Sequence, residues 1–404
     1  MKSASLSLLL FILVLLSCKK ESSPAPTPLS DNLHIHTGYD PYYREINEYE
    51  LIISENGKIL LDTVTSRQNN IIADLASSST FVDVTVIHSD TSTGQYYINS
   101  FLHVDPSQWV TMLDRISYYS PIHFPGGSNA TLHYINAPND QPYFVNTPAP
   151  ALNTVTPGNG SIDVSYNRFP GNYTYLLMPS TGLYRFYVPS GDHDTVDLSH
   201  PDTAARFNFN LPAEVTYRLT FLHGFMDSTD LTNYLLLYSN LEVSPAPYDV
   251  EYPKTIVQKF ELGGSFANQH SEYSSYYSFG DTVPTQVPYL DASSCHFTST
   301  TNDNFSVEFN NLHPTYYETE WVAGKISLKI FSSPDATVQH PLSFINGQKS
   351  KLLKNQDLSG LAIKNFFAEQ VTGYDYEGYF NYVFNPETLK KKQVRLAVGF
   401  GKSF

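Results

Sequence analysis

Basic residues are scarce in this chain. Its 404 residues include 24 Lys and Arg against 39 Asp and Glu, which gives a formal net charge of −15 at pH 7. Such an excess of negative charge repels phosphate groups, because like charges raise the cost of close approach. We therefore expect no nucleic-acid partner.

The sequence motifs of common hydrolases are also lacking. The nucleophile elbow of serine hydrolases needs Gly-x-Ser-x-Gly, and the nearest stretch, Gly264-Ser265, has no second glycine. The His-Glu-x-x-His pattern, which places two zinc ligands on one helix face, does not occur. No phosphate-binding glycine loop is found either. We therefore predict no cofactor, and a binding protein is favoured over an enzyme.

Two short stretches carry metal-ligand chemistry but do not make a convincing site. His34 and His36 share one face of a strand, yet two ligands are too few without partners from elsewhere. The run Gly191–Asp197 offers three carboxylates, but it lacks the glycine and the closing glutamate of an EF-hand loop. We interpret it as a solvated turn and predict no metal site.

No apolar run at the N-terminus is long enough for a membrane-spanning helix. The apolar residues Leu6–Leu16 follow the basic Lys2, and they fall short of the roughly 20 residues that a bilayer requires. A basic residue followed by a short apolar core is typical of an export signal. A polar, proline-containing stretch begins after Cys18.

The residues Leu15-Leu16-Ser17-Cys18 resemble the lipobox of bacterial lipoproteins, although Leu16 stands where a small residue is more common. The resemblance implies cleavage before Cys18, a diacylglycerol on its sulfur and an acyl chain on its new amino group. Residues 1–17 are then a lipoprotein signal peptide and 18–32 a disordered tether. The expected location is the outer membrane or the cell surface, with the lipid on Cys18 as the membrane contact.

The scarcity of cysteine shows what must stabilise the fold. Only Cys18 and Cys295 are present, and a lipid on Cys18 leaves Cys295 without an intrachain partner. Disulfides then contribute nothing, so buried cores must stabilise the chain. The 30 Tyr and 25 Phe supply ample area to bury.

The dominant period of hydrophobicity is two, which predicts strands. Apolar residues alternate with polar ones from Val82 to Val86 and from Val215 to Phe221, and Asn56-Gly57 between two apolar runs predicts a tight hairpin. One helix is predicted from a cap at Asp105 towards Ile116. We expect an all-β fold of tandem antiparallel β-sandwich domains with short helices only.

Two proline-containing stretches, 142–160 and 244–253, are interpreted as interdomain joints, with ordinary loops as the alternative. They divide the chain into a β-sandwich domain at 33–145, a second at 159–245 and a third at 254–404. Residues 159–175 resemble the opening of fibronectin type III-like modules in their pattern of Val and Tyr.

Tyrosine stands out, often as neighbouring pairs, and exposed aromatic faces suit sugar rings or protein hot spots. Most of these tyrosines are explained by the preference of Tyr for strands. The exception is a serine-rich stretch interpreted as a loop, because loops on rigid sheets often bind ligands. The predicted binding residues are Tyr273, Tyr276, Tyr277 and Phe279.

Glu318 and Glu320 are the best candidates for a glycosidase pair, since residues two apart on a strand share a face beside Trp321. A solvent-facing strand edge explains two like charges more simply. The sequence therefore favours a lipid-anchored envelope protein that binds glycan or protein without catalysis. The alternatives are an extracytoplasmic hydrolase of polysaccharide or peptide and a structural subunit of an outer-membrane complex.

Overall fold

The fold is that of a computed structural model of the chain. Cys18, the predicted signal peptide 1–17 and residues 18–31 of the tether lie outside the described residues. The described residues are 32–36, 48–66, 71–74, 81–105, 110–112, 128–137, 143–147, 151–155, 159–168, 174–178, 182–208, 211–229, 231, 234–242, 249–253, 255–341, 349–354, 356–384, 388 and 391–404.

The fold is all-β, with antiparallel pairing between most strands, which confirms the predicted fold class. The first strands are β1 (Asn32–His36), β2 (Glu48–Glu55), β3 (Lys58–Ser66), β4 (Ile71–Asp74), β5 (Val82–Asp90), β6 (Gln95–Val104), β7 (Val110–Met112), β8 (Ser128–Ile135), β9 (Tyr143–Thr147), β10 (Ala151–Val155), β11 (Ser161–Arg168), β12 (Thr174–Met178), β13 (Leu183–Tyr187) and β14 (His193–Asp197). The others are β15 (Asp202–Thr203), β16 (Ala205–Asn208), β17 (Val215–Phe225), β18 (Leu235–Glu242), β19 (Asp249–Tyr252), β20 (Lys259–Asn268), β21 (Glu272–Gly280), β22 (Cys295–Thr300), β23 (Phe305–Phe309), β24 (Tyr316–Ala323), β25 (Ile326–Ser332), β26 (Val338–Gln339), β27 (Ala362–Val371) and β28 (Leu396–Ser403). Residues Tyr376–Phe384 form the helix α1.

The largest sheet among the described residues has 12 strands, with the order β18-β17-β20-β21-β28-β27-β24-β25-β6-β5-β2-β3. Every neighbouring pair is antiparallel except β25 and β6, which run parallel. Because the side chains of a strand alternate between two faces, this sheet presents one long surface on each side. We call them the upper face, which carries α1, and the lower face.

The lower face packs against the small sheet β22-β23-β26 and forms an aromatic core with it. Trp321 of β24 and Leu328 of β25 are fully buried there against Phe305 of β23. In β25 every second side chain is buried, from Ile326 to Ser332, which is the expected pattern of a strand with one covered face. The two layers thus form a sandwich.

The upper face is covered by α1 over part of its length. Phe380 of the helix packs edge-on against Phe101 of β6 and Tyr316 of β24, and contacts Phe331 of β25 as well. The turn before the helix is fixed by Asp375, whose Oδ1 accepts a hydrogen bond of 2.8 Å from the backbone N–H of Gly378.

A second, smaller sandwich forms between the sheets β11-β8-β14 and β10-β9-β12-β13-β15. Its core includes Leu132 and Tyr134 of β8, Val145 of β9 and Leu176 of β12, all fully buried. The apolar alternation of β11 and β8 places their inner residues in this core. Burial of apolar side chains therefore stabilises this part of the chain.

Most of the predicted strands and the main turn are confirmed. Asn56 and Gly57, with φ of 48° and 78°, connect β2 to β3, because a two-residue hairpin turn of this kind needs positive φ at both positions. The predicted helix from Asp105 towards Ile116 is wrong where it can be compared, since Val110–Met112 is a strand that pairs in parallel with β1. The β-branched Val110 and Thr111 favour that conformation.

The large sheet joins strands from all three predicted domains. β6, in the segment 33–145, pairs with β25, and β17, in 159–245, pairs with β20. The stretches interpreted as joints contain β9, β10 and β19. The division at 145, 159, 245 and 254 stays a prediction, as does the resemblance to fibronectin type III modules.

Candidate functional site

The serine- and tyrosine-rich stretch around Tyr273 is a central strand and not the loop that the sequence favoured. β21 pairs with β20 on one side and with β28 on the other, along nearly its whole length. Its serines and tyrosines alternate between the two faces of the sheet, and tyrosine is a good strand former. The loop interpretation was wrong because serine is common in loops but is equally accommodated in a fully paired strand.

The four predicted binding residues therefore do not form one exposed surface. Tyr276 and Phe279 are buried, with exposed fractions of 5% and 4%. Tyr276 belongs to the core below the sheet, and Phe279 packs edge-on against Phe225. Tyr273 and Tyr277 are half-buried on the upper face. Tyr273 lies next to Phe367, whereas Tyr277 packs against the buried cluster of Val371, Tyr382, Val394 and Ala397.

Glycines in β28 allow two aromatic rings to lie over its backbone. Gly401 lies between Tyr273 of β21 and Phe367 of β27 in the strand register. A Cβ atom at Gly401 would lie 2.1 Å from Cζ of Tyr273, and one at Gly399 would lie 2.6 Å from Cζ of Phe367. The two rings therefore occupy the space that side chains at these positions would need.

The rings of Tyr273 and Phe367 form a continuous surface, which we call the aromatic floor. Their planes are within 8° of parallel and their centroids are 5.8 Å apart. Both rings lie over glycines of β28, on the same face of the sheet. Both side chains are half-buried, so part of each ring is accessible in the described part of the chain.

Two carboxylates lie beside the aromatic floor: Glu318 and Glu320 of β24, the pair that the sequence singled out. Glu318 stands opposite Phe367 in the register of β24 and β27. Their side chains are 22% and 15% exposed. The prediction that they share a face is confirmed, whereas the solvent-facing edge is wrong, since β24 is paired on both sides. We call Glu318 and Glu320 the carboxylate pair.

Burial and the neighbouring carboxylates change the pKa of Tyr273. Burial is the main cause that raises the pKa of Tyr273 to about 12, and the negative charges of Glu318, Glu320 and Glu369 raise it further. The tyrosine is therefore a neutral hydroxyl at physiological pH. It can donate a hydrogen bond as well as accept one.

Glu320 is held in its charged form by its neighbours. Burial acts to raise its pKa, but a 2.6 Å hydrogen bond from Nδ2 of Asn365 and the ammonium groups of Lys364 and Lys329 outweigh burial and lower the pKa. Ser327 also donates to it, at 3.3 Å. Glu320 is thus a fixed anion with hydrogen-bond acceptor capacity.

Two stacked tyrosines, one from β24 and one from α1, border the aromatic floor; we call them the tyrosine wall. Tyr316 of β24 meets Phe367 edge-on, and Tyr379 of α1 stacks on Tyr316 with ring centroids 5.2 Å apart. Both hydroxyls donate to Oε2 of Glu369, at 3.1 and 3.2 Å. The wall is therefore fixed in position, and the floor is bounded on this side.

Tyr277, the other half-buried tyrosine of β21, belongs to a buried charge network. Its hydroxyl donates to Glu261, which also accepts from Nδ1 of His223 at 2.8 Å and from Nζ of Lys392 at 2.6 Å. Burial acts to raise the pKa of Glu261, but His223 and Lys392 outweigh it and hold the pKa at about 2. This network fixes the segment of Lys392 on the sheet.

The remaining residues that the sequence considered do not assemble into a site. His34 and His36 lie in β1, and the carboxylates of Gly191–Asp197 are used locally: Asp192 accepts from Arg168 Nη1 at 2.8 Å, and Asp194 accepts from the backbone N–H of Ser190 at 2.7 Å. No group of three or more His, Cys, Asp or Glu in the described ranges could hold a metal ion.

Sequence reasoning found Tyr273 and the carboxylate pair separately but missed Phe367, Gly399 and Gly401. The signal for the glycines is their alternation in the last strand, Gly399-Phe400-Gly401, because glycine in a strand interior often marks a close approach of other groups. Which ring fills the space above them depends on strand order, which a single sequence does not give.

No protein-family model matches this chain, and no curated protein matches it significantly.

Proposed function

We propose that this chain is a non-catalytic glycan-binding protein of a bacterial cell envelope, anchored by lipid on Cys18, and that the aromatic floor binds a neutral sugar chain. The observation that carries this proposal is the pair of nearly parallel rings of Tyr273 and Phe367, seated over two glycines. A flat aromatic surface is complementary to the flat, C–H-rich face of a pyranose ring. Two neighbouring parallel rings, with centroids 5.8 Å apart, suit contact with consecutive sugar units.

The carboxylate pair supports a sugar over a purely apolar ligand. Glu318 and Glu320 stand beside the floor, and carboxylates are strong acceptors for hydroxyl groups. The hydroxyl of Tyr273 offers a donor or an acceptor at the same place. Negative charges at Glu318, Glu320 and Glu369 repel acidic glycans, so the proposal is restricted to neutral chains.

The surroundings of Glu320 do not suit the acid of a glycosidase. A glycosidase needs one carboxyl with a raised pKa to act as the acid. The pKa of Glu320 is instead lowered by its neighbours, after burial is outweighed. With its pKa lowered, Glu320 is suited to accept hydrogen bonds from a ligand and not to deliver a proton to a leaving group.

Affinity electrophoresis of the full chain through gels that contain neutral polysaccharides tests the proposal. We expect retardation in at least one gel, loss of retardation with Tyr273→Ala and retention with Tyr273→Phe, which keeps the aromatic face. Tyr187→Ala, in the small sandwich, is the matched control. Equal mobility of wild type and Tyr273→Ala in every gel, with both proteins folded, contradicts the proposal.

The anchor is tested separately by expressing the full chain and Cys18→Ala in a bacterial host with a labelled fatty acid. Within the described residues, no helix is both long and apolar enough to cross a membrane. We expect label and membrane fractionation for the wild type, and neither for the variant. If both forms fractionate alike without label, the anchor is wrong, whatever the result with glycans.

A further inference from the structure

Phe221 of β17 is a third aromatic ring that lies over a glycine of the large sheet. A Cβ atom at Gly263 of β20 would lie 2.3 Å from both Cε1 and Cζ of Phe221. Contacts of the same kind build the aromatic floor over Gly399 and Gly401. Glycine in a strand interior often marks such a close approach. The arrangement that forms the floor is therefore repeated two strands away, on β20.

Phe221 lies on the same face of the sheet as the aromatic floor. It stands opposite Gly263, and Gly263 stands opposite Tyr277 of β21. Residues directly opposite each other in neighbouring strands share a face, and so do residues four apart in one strand. Tyr277 comes four residues after Tyr273, and β21 pairs with β28 in continuous register from one to the other. All three rings therefore project from the upper face.

The β17 end of this face carries apolar side chains that are partly exposed. Phe221 is half-buried, and it belongs to none of the hydrophobic cores formed by the described residues. Leu219, two residues earlier and on the same face, is 46% exposed. Within the described part of the chain, both side chains are therefore available for contact with a ligand.

The ring of Phe221 is held in place by its neighbours. It stacks on the imidazole of His223, with ring centroids 4.7 Å apart and planes 29° from parallel. His223 is hydrogen-bonded to the buried Glu261 at 2.8 Å. A side chain that is fixed before binding loses little conformational freedom when a ligand arrives, which favours affinity.

Short side chains lie between Phe221 and the aromatic floor. Ser265 of β20 stands opposite Ser275 of β21, on the path between the rings. Tyr277 is the large side chain nearest to this path, but its hydroxyl donates to Glu261. Its ring therefore leans away from the two serines. A ligand can thus extend from the floor to Phe221 along these two strands.

The spacing of the rings sets the length of that ligand. Gly263 and Gly399 are two strands and two residue steps apart, which is about 12 Å at roughly 4.8 Å per strand and 3.3 Å per residue. The two rings of the floor have centroids 5.8 Å apart. With consecutive sugar units on these rings, about two further units reach Phe221. A disaccharide covers the floor alone.

We propose that Phe221 is a further contact of the glycan site, so that the site takes an extended neutral chain of about four or more sugar units. This inference rests on the proposed function, because it extends the aromatic floor. Rings separated by short polar side chains suit a repeating chain with apolar ring faces and hydroxyl edges. The core of a protein interface is instead a contiguous apolar patch.

Isothermal titration of the full chain with neutral oligosaccharides of two and six units tests this inference. The probes are cello-, manno- and malto-oligosaccharides, which are uncharged and differ in linkage or in the sugar. Phe221→Ala is the test variant. Phe404→Ala is the matched control, since Phe404 is 48% exposed and its ring packs on Phe297 of the small sheet β22-β23-β26.

We expect the hexasaccharide of at least one series to bind more tightly than its disaccharide. Phe221→Ala should weaken hexasaccharide binding about 3- to 10-fold, as expected for the loss of one aromatic contact. It should leave disaccharide binding unchanged, which also shows that the variant is folded. Phe404→Ala should change neither affinity.

Equal binding of the two lengths by the wild type overturns the inference and leaves the proposed function in place. The same holds if Phe221→Ala keeps full affinity for the hexasaccharide or loses affinity equally for both lengths. No binding of any probe by the wild type overturns the proposed function together with the inference. Self-association that Phe221→Ala abolishes, measured by sedimentation velocity, identifies a second copy of the chain as the occupant and also overturns the inference.

Discussion

Replacing Gly401 with alanine tests how the aromatic floor is built. The new methyl group would lie 2.1 Å from Cζ, 2.4 Å from Cε1 and 2.5 Å from the hydroxyl oxygen of Tyr273. These separations are well inside van der Waals contact, so the ring must swing off the sheet. Gly280→Ala, at the end of the neighbouring strand, is the matched control, since no atom lies within 4 Å of its added methyl group.

Two opposing contributions determine how much Gly401→Ala changes the free energy of unfolding. Overpacking of this kind costs about 1–3 kcal/mol, while alanine in place of glycine in a strand gains about 0.5–1 kcal/mol. Gly401→Ala in the wild type should therefore destabilise by up to about 2 kcal/mol. In a Tyr273→Ala background the clash is gone, and the same change should stabilise by about 0.5–1 kcal/mol.

Urea unfolding of the wild type, the two single variants and the double variant gives the coupling free energy between Gly401 and Tyr273. The reasoning predicts a coupling of about 1–3 kcal/mol and no effect of Tyr273→Ala on the cost of Gly280→Ala. If Gly401→Ala costs the same with and without the Tyr273 ring, the ring does not occupy the space above the glycine and the floor is described wrongly.

Two buried carboxylates give further predictions. Glu50 is fully buried and accepts hydrogen bonds from Ser350 Oγ and from the backbone N–H groups of Lys351 and Leu352, at 2.6, 2.6 and 2.8 Å. Glu50→Ala should therefore lower the free energy of unfolding in urea by about 3 kcal/mol or more. A loss below about 1 kcal/mol would contradict that role. Because the folded pKa of Glu261 is about 2 against a usual value of 4.5, its contribution of about 3 kcal/mol is present above pH about 4.5 and is lost as the pH falls towards about 2. Lys392→Met should raise that folded pKa, so that stability is lost at a higher pH than in the wild type; coincident acid-unfolding curves would refute this.

The sequence was informative where local patterns determine structure. Alternating residues such as Val82–Val86 and the Asn56-Gly57 turn were enough to predict strands, a hairpin and the all-β class, because these depend on side-chain period and local dihedral angles. The carboxylate pair on one face of β24 follows from the same period.

Long-range pairing could not be predicted in this way. The floor depends on β28, near the C-terminus, lying between β21 and β27, and no local pattern encodes that order. The same holds for the pairing of β6 with β25, whose residues are more than 200 positions apart. Tyr273 was selected for its type, whereas its neighbours in space became known only from the sheet.

Nuclear magnetic resonance of a neutral oligosaccharide titrated into the full chain tests the central claim most directly. Protons that lie over an aromatic ring experience its ring current, so those on one face of consecutive sugar units should shift upfield when bound to the aromatic floor. We predict that Tyr273→Phe preserves these shifts and that Tyr273→Ala removes them together with most of the affinity. Binding of unchanged strength to Tyr273→Ala, with the same sugar protons affected, would contradict the account.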